Sequence, residues 1–231
     1  MTLSGIPDGA ILVTGSQSGI GAAIASRLVR EGRQVIGVDL VASAEAGSGY
    51  LQFGADLTDP AQIHALLERL PPIAGLVHAA GFMRTGDIAS LDPGDGQSMW
   101  AIHVQALVLL AQRLVPAMPR GGRLLAIGSR TSTGAGGKSQ YAACKAAVTA
   151  LIRSWAIELA PSGVTANVIA PAATATGMLV DPKRTLAPVV PPIGRYIEPD
   201  EIAALAAFIL SPEASAITGQ ELLICGGASL S

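Results

Sequence analysis

The stretch ILVTGSQSGIGAAIASRLVREGRQVIGVDL, residues 11–40, decides the fold. A β-branched run at Ala10–Thr14 leads into a glycine-rich turn, and the apolar residues of Ile20–Glu31 then recur at helical spacing. Gly32 ends that pattern, and a second apolar run follows at Gln34–Asp39. This order predicts a β-α-β unit with two parallel strands.

The same alternation continues to the end of the chain and predicts an α/β fold, a doubly wound parallel sheet of about seven strands with helices on both faces. One domain over residues 1–231 is expected. The other predicted strands are Tyr50–Ala55, Gly75–Ala80, Arg123–Gly128, Val164–Ala170 and Gln220–Cys225. The other predicted helices are Pro60–Leu70, Gln97–Met118, Gln140–Leu159 and Pro199–Leu210.

Two segments interrupt this alternation. Leu40–Gly49 is rich in Ala, Ser and Gly and is too short for a crossover helix, so a loop is expected there. Ala172–Glu198 contains four prolines. A long proline-bearing insertion in a compact domain is commonly a binding loop, and residues 172–198 are therefore predicted to form the substrate loop.

Composition excludes several classes of protein. The 231 residues carry 15 basic and 17 acidic side chains, 50% are hydrophobic and 14% are charged, which excludes disorder and gives no basic stripe for nucleic acid. Cys144 and Cys225 lack the spacing of a metal or redox motif, and no metal site is predicted. The N-terminus shows no signal pattern and polar residues interrupt the apolar stretch Trp100–Met118, so a cytoplasmic protein with no membrane span is expected.

The turn Thr14–Gly21 lies between the first strand and the first helix. Glycines there permit a tight turn and let backbone N–H groups approach a phosphate, while the helix N-terminus adds a partial positive charge. The motif predicts a dinucleotide site, with a purely structural turn as the alternative. The predicted contacts are Gly15, Ser16, Ser18, Gly19, Ile20 and Gly21.

Two carboxylates follow at strand ends. Asp39 lies eighteen residues past Gly21, where it could accept hydrogen bonds from both hydroxyls of an adenosine ribose and repel a 2′-phosphate. No Lys or Arg near it offsets that repulsion, which predicts NAD in preference to NADP; a strand-end cap is the alternative role. Asp56, followed by Leu57, could hold the adenine amino group or could cap the helix entered at Asp59.

A second set of residues carries acid-base chemistry. Tyr141 and Lys145 lie four apart on a predicted helix, which puts the ammonium near the phenol, and an adjacent cation lowers a tyrosine pKa toward the range useful for a general base. Ser129 ends the fifth strand, at the edge where doubly wound sheets bind ligands. The Tyr-Lys spacing alone is common and mostly structural, so its weight comes from this combination.

The chain resembles the short-chain dehydrogenase/reductase family over nearly its whole length. The motifs that carry the resemblance are Thr14–Gly21, Asp56-Leu57, His78-Ala79-Ala80-Gly81, Ile127-Gly128-Ser129, Tyr141-Ala142-Ala143-Cys144-Lys145, Asn167-Val168-Ile169-Ala170-Pro171 and Ile217-Thr218-Gly219. The resemblance implies a Rossmann-type fold and hydride exchange between a nicotinamide and a carbinol or carbonyl carbon. Tyr141 would move the proton, Ser129 would orient the oxygen, and Lys145 would also hold the nicotinamide ribose.

The resemblance also implies further cofactor contacts and exposes departures from the family pattern. The further contacts are Ala80, Gly81, Pro171, Thr174 and Thr176, with a helix N-cap as the alternative role for Thr176. His103 stands where the family has asparagine, so it could offer its carbonyl, relay protons or simply pack. His78 replaces the usual first asparagine and is expected to be structural, and Ala172 replaces a glycine.

The substrate is expected to be a small secondary alcohol or ketone in a mainly apolar pocket. Arg84, Arg130 and Arg195 could each clamp a carboxylate or form an ordinary ion pair. A homotetramer or homodimer is expected, as in the family. Two alternative functions remain: a dinucleotide-binding regulator without turnover, and a lyase or epimerase that uses bound NAD on the same fold.

Overall fold

The computed structural model describes residues 9–41, 49–182 and 186–230. Most of the predicted loop Leu40–Gly49 lies outside the described residues, as does a short part of the predicted substrate loop.

A single parallel sheet of seven strands runs through the described chain. The strands are β1 Ala10–Thr14, β2 Val35–Asp39, β3 Tyr50–Gly54, β4 Ile73–His78, β5 Arg123–Ile127, β6 Thr165–Pro171 and β7 Glu221–Ile224. Their order across the sheet is β3-β2-β1-β4-β5-β6-β7. The doubly wound α/β fold is confirmed.

Helices cover both faces of the sheet, as predicted. The helices are α1 Gly19–Arg30, α2 Pro60–Leu67, α3 Pro93–Trp100, α4 Ala106–Leu114, α5 Ser139–Leu159 and α6 Pro199–Ile209. Side chains of α1 and α6, such as Leu28 and Ile202, pack on one face of the sheet. Side chains of α2, α4 and α5, such as Leu107 and Ile152, pack on the other face.

The helix predicted over Gln97–Met118 is longer and less regular than expected. It begins at Pro93, where the Asp92 carboxylate accepts hydrogen bonds from the backbone of Gly94 and Asp95, and a π-helical turn at Ala101–Gln105 separates α3 from α4. By length and composition Pro93–Ala117 could cross a membrane, but 56% of its most apolar part is buried within the fold. Packing on the sheet accounts for its apolar character.

The sheet changes winding direction between β1 and β4, and a buried hydrogen-bond chain ties these two strand ends together. The Thr14 hydroxyl accepts from the amides of Ala79 and Ala80, each at 3.1 Å, and lies 3.1 Å from Nδ1 of His78. Because its oxygen already accepts two hydrogen bonds, the Thr14 hydroxyl donates a hydrogen bond to Nδ1 of His78. Nε2 of His78 then donates to the Ile102 carbonyl at 3.0 Å. His78 is thus structural, and burial lowers its pKa to about 4.

Replacing Thr14 with valine would strand two amides and a ring nitrogen in the interior, so Thr14→Val is expected to lower the free energy of unfolding by about 3 kcal/mol. Thr165→Val is the matched control, because the buried hydroxyl of Thr165 has no hydrogen-bond partner within the described structure. That control should leave stability unchanged or raise it by up to about 1 kcal/mol. Urea unfolding measures both, and equal effects would contradict the role given to Thr14.

Candidate active site

The turn after β1 is built for close approach of an anion. Gly15 has φ +68°, and a Cβ there would lie 2.9 Å from the backbone of Ala80, while a Cβ on Gly21 would lie 2.1 Å from the Gly15 carbonyl oxygen. Ser18 stands at the N-cap of α1 without using its side chain to cap the helix. The first-turn amides of α1 therefore face outward with a partial positive charge, and this cradle fits the pyrophosphate of a dinucleotide.

A crevice of about 850 Å³ extends from this turn across the strand ends. It brings together eleven of the residues predicted to bind cofactor, from five separate parts of the chain. They are Gly15, Ser18, Gly19, Ile20, Gly21, Asp39, Asp56, Leu57, Ala80, Gly81 and Thr176.

Ser16 departs from the prediction and does not line the crevice. It is 5% exposed, its hydroxyl donates to Oε1 of Gln52 at 2.9 Å, and its amide is bonded to the Val38 carbonyl. Tyr50 donates to the same Gln52 oxygen, and Gly37 leaves the space in which these three side chains meet. The Ser16 side chain therefore supports the sheet behind the crevice instead of contacting a ligand.

The two predicted strand-end carboxylates both line the crevice and both bond to local backbone. Asp39 accepts from the amides of Gln17 at 3.0 Å and Leu40 at 2.8 Å. Asp56 accepts from the amide and the hydroxyl of Thr58 at 2.8 Å and 2.7 Å. The alternative of Asp56 as helix cap is excluded, because Asp59 caps α2 by accepting from Ala61.

A second cavity, of about 320 Å³, adjoins the crevice and contains the predicted acid-base residues. Ser129, Tyr141 and Lys145 all line it, and Ile20, Gly81 and Thr176 line both spaces. Pro171 and Thr174 belong to the same wall. Thr176 stands at the N-cap position of the 3-10 turn Gly177–Leu179, as its alternative role predicts, but its side chain makes no cap hydrogen bond. A dinucleotide lying in the crevice therefore has room to extend one end toward Tyr141.

Lys145 is held deep in this cavity. It is 5% exposed, its Nζ donates to the Ile127 carbonyl at 2.7 Å, and Nζ lies 5.6 Å from the centroid of the Tyr141 ring. Burial lowers the pKa of Lys145 to about 7. Burial therefore destabilises the protonated form of Lys145, and the hydrogen bond to Ile127 fixes its amino group beside the phenol.

Ser129 is oriented by a neighbour that the sequence analysis missed. Its Oγ accepts from the amide of Thr131 at 3.2 Å and lies 2.9 Å from the Thr131 hydroxyl. If Thr131 donates in that contact, the Ser129 proton is left for a ligand in the cavity. The signal in the sequence was the Ser-x-Thr spacing at a strand end, which favours such a local turn. Ser132, the next serine along the chain, is not in the cavity lining, and its hydroxyl donates to the carboxylate of Glu221.

His103 is a buried residue in the lining of this cavity. Its Nε2 donates to the Phe82 carbonyl at 2.8 Å, and its Nδ1 is buried without a hydrogen-bond partner among the described residues. Burial and then the charge of Lys145 lower the pKa of His103 well below its usual range, so the ring is neutral. The ring contacts Tyr141 edge-on at 5.5 Å and fills the space that a Cβ on Gly81 would occupy.

The three arginines considered as substrate clamps differ in their partners. Arg84 pairs with Asp181 at 2.9 Å and stacks on a phenyl ring, and Arg195 pairs with Glu201 at 2.7 Å. Both match the ion-pair alternative. Arg130 lines the 320 Å³ cavity and forms no ion pair within the described ranges.

Comparisons with known proteins agree with this fold. A family model described as enoyl-(acyl carrier protein) reductase matches residues 14–229. The 3-oxoacyl-[acyl-carrier-protein] reductase FabG of Vibrio cholerae is 36% identical over 94% of this chain and 95% of its own length. A short-chain dehydrogenase from Burkholderia cenocepacia superposes with a TM-score of 0.84 at 29% identity, over 96% of this chain and 98% of that one. The chain belongs to the short-chain dehydrogenase/reductase family.

The predicted preference for NAD over NADP is wrong in the light of these comparisons. The Burkholderia structure holds NADP, and a blue fluorescent protein from a metagenomic library, with a TM-score of 0.84, 29% identity and 99% coverage of both chains, holds NADPH. A 3-ketoacyl-(acyl-carrier-protein) reductase from Brucella melitensis holds NADH; it has a TM-score of 0.85 and 26% identity, and covers 97% of this chain and 99% of its own. These relatives point to NADP(H). The carboxylate of Asp39 accepts hydrogen bonds from the amides of Gln17 and Leu40. These bonds partly neutralise its negative charge and so weaken the repulsion of a 2′-phosphate, on which the prediction of NAD relied.

The buried lysine gives the apoprotein a characteristic pH dependence. Between the folded pKa of about 7 and the unfolded value of about 10.4, the unfolded chain binds a proton that the folded chain does not. The free energy of unfolding therefore rises with pH in this window, by up to about 1.4 kcal/mol per pH unit, and this contribution is lost as the pH falls toward 7.

Urea unfolding of the wild type and Lys145→Met without coenzyme, at pH 6, 7, 8 and 9, measures this contribution. The difference between the two proteins should be constant below about pH 6 and should shift in favour of the wild type above pH 7. Parallel curves across the whole range would show that Lys145 stays charged in the fold.

Proposed function

We propose that this protein is an oxidoreductase that transfers hydride between NADP(H) and a small secondary alcohol or ketone, with Tyr141 as the general acid and base. The observation that carries the proposal is the shared cavity of Ser129, Tyr141 and Lys145 beside a crevice whose glycine turn fits a pyrophosphate. Membership of the family supports an oxidoreductase acting on CH–OH or keto groups.

Each side chain has a distinct role in this proposal. The nicotinamide, when bound, supplies or accepts the hydride. Ser129 donates its hydroxyl proton to the substrate oxygen and fixes its position. Tyr141 gives a proton to that oxygen during reduction and takes one from it during oxidation, and the Lys145 ammonium, 5.6 Å from the ring centroid, stabilises negative charge on the phenol oxygen.

The remaining walls of the cavity are mainly apolar and come from the substrate loop. These side chains favour the carbon skeleton of a substrate over water and strengthen electrostatic interactions around the reacting oxygen. They are Met178, Leu179, Val189, Val190, Pro191 and Pro192.

Replacing Tyr141 with phenylalanine removes the transferable proton and keeps the ring that packs on His103. Tyr141→Phe should lower kcat at least about 10³-fold while the Kd for NADPH changes less than about threefold. Absorbance at 340 nm measures turnover and fluorescence titration measures binding. Tyr196→Phe is the matched control, since Tyr196 lies outside both spaces, and it should keep full activity.

Full activity of Tyr141→Phe would exclude the Tyr141 hydroxyl as the general base. If the wild type binds NADPH and turns over no alcohol or ketone, the regulator is favoured; product formation without net change in coenzyme absorbance favours the lyase or epimerase.

The coenzyme proposal leads to a separate expectation for Asp39. Removing its charge removes the remaining repulsion toward a 2′-phosphate, so Asp39→Asn should raise the ratio of kcat/KM for NADPH to that for NADH at least about fivefold. Initial rates with each coenzyme measure the ratio. Asp200→Asn, at an exposed position of α6, is the control with an unchanged ratio. A ratio unchanged in Asp39→Asn would show that the carboxylate does not face the ribose.

We further propose that residues 1–231 form one domain in a cytoplasmic enzyme that assembles as a homotetramer or homodimer. The continuous sheet supports one domain, and the free thiols of Cys144 and Cys225 suit a reducing compartment. Trp100 on α3 and Ile157 on α5 are 48% and 79% exposed, and such exposed apolar surface on helices favours contact with a second copy.

A further inference from the structure

The charges around the 320 Å³ cavity are of one sign. Three cationic side chains line it, Arg130, Lys138 and Lys145, and no Asp or Glu belongs to the described lining. The chain as a whole has more acidic than basic residues, 17 against 15, so this asymmetry does not follow from composition. A cavity of one sign attracts a ligand group of the other sign.

The three cations have different tasks. Lys145 is bonded to the Ile127 carbonyl beside Tyr141 and belongs to the proton-transfer machinery. Arg130 follows Ser129 directly, is half-buried, and has no carboxylate partner in the described part of the chain, unlike Arg84 and Arg195. A guanidinium suits planar, two-pronged recognition of a carboxylate.

A second source of positive potential lies close by in the fold. Lys138 is the N-cap residue of α5, a helix of 21 residues, and it lines the same cavity. The partial positive charge of a helix N-terminus adds to that of the side chains. Arg130 and Lys138 thus both line the cavity; Arg130 follows Ser129 in the sequence, and Lys138 stands three residues before Tyr141.

The cavity also limits the size of a ligand. Its volume is about 320 Å³, and the nicotinamide end of a bound dinucleotide would take part of that space, so only a small ligand fits beside it. Its apolar loop residues suit a short carbon chain. The ligand therefore combines a reacting oxygen, a few carbons and an anionic end.

We propose that the substrate is a small oxo acid or the corresponding hydroxy acid, and that Arg130 determines this specificity by binding the substrate carboxylate. This inference rests on the proposed function and names its substrate class. Reduction would add the coenzyme hydride to the carbonyl carbon and one proton to its oxygen, and the carboxylate would be unchanged.

The test compares acids with their neutral methyl esters, which keep the ketone and remove the charge. The probes are 2-oxopentanoate, 4-oxopentanoate and 5-oxohexanoate, each beside its ester, with NADPH in excess. For at least one pair the acid should have a kcat/KM at least about tenfold higher than its ester, and added salt should reduce the difference. Arg130→Gln should lose at least about tenfold on that acid and less than about twofold on its ester.

Arg153→Gln is the matched control, because Arg153 is an exposed arginine on α5 that does not line the cavity, and it should behave as the wild type. A binding measurement runs beside the kinetics: the preferred acid should raise the Tm of the NADPH-bound protein, its ester should not, and Arg130→Gln should abolish the shift.

The outcomes separate the two proposals. Equal turnover of acids and esters, or an equal loss on both in Arg130→Gln, overturns the inference and leaves the oxidoreductase intact. Binding of acids that depends on Arg130, without turnover of any carbonyl compound, upholds the carboxylate site at Arg130 but overturns the proposed function and, with it, the assignment of the acid as substrate. Absence of both acid-selective binding and acid-selective turnover overturns the inference.

Discussion

The structure depends on how the carboxyl ends of β1 and β4 are joined, because the crevice opens where the sheet changes winding direction. The Thr14 hydroxyl accepts from the amides of Ala79 and Ala80 and donates a hydrogen bond to Nδ1 of His78, whose Nε2 donates to the π-helical turn before α4. These contacts hold Gly81 near the turn Thr14–Gly21, and the neutral ring of His103 fills the space that a Cβ on Gly81 would need. The hydrogen-bond chain of Thr14 and His78 beside the nucleotide crevice is therefore a satisfied polar network inside an apolar core.

A second constraint is the cost of burying a cation. Lys145 carries its charge poorly at neutral pH because almost no solvent reaches it, and among the described residues its Nζ donates to a single backbone acceptor, the Ile127 carbonyl. The neighbouring His78 and His103 are both neutral, so they neither repel the Lys145 ammonium nor compensate its positive charge. A site of this kind gives up stability for a positive charge at a fixed place, which is a common compromise at catalytic positions.

Much of the candidate site was predictable because its signals are local. The spacing of Tyr141 and Lys145 places both on one helix face, and the glycine turn requires positive φ and close backbone contacts that no other residue tolerates. The choice of coenzyme was not predictable in this way. It depends on how much charge Asp39 presents to a ribose after bonding to Gln17 and Leu40, and these local hydrogen bonds leave no mark in the residue pattern.

The sequence by itself determined the alternation of strands and helices, the winding of the sheet and the helix face that carries the acid-base pair, since hydrophobic periodicity and chain connectivity are properties of neighbouring residues. Only the tertiary structure decided that Ser16 turns inward to Gln52, that Arg84 pairs with Asp181 while Arg130 faces a cavity, and that His103 packs instead of bonding through both nitrogens. The Ser16 and Arg84 contacts join residues 36 and 97 positions apart in the chain. Such pairings are set by how the layers stack and which polar groups then need a partner, and a one-dimensional pattern does not contain that information.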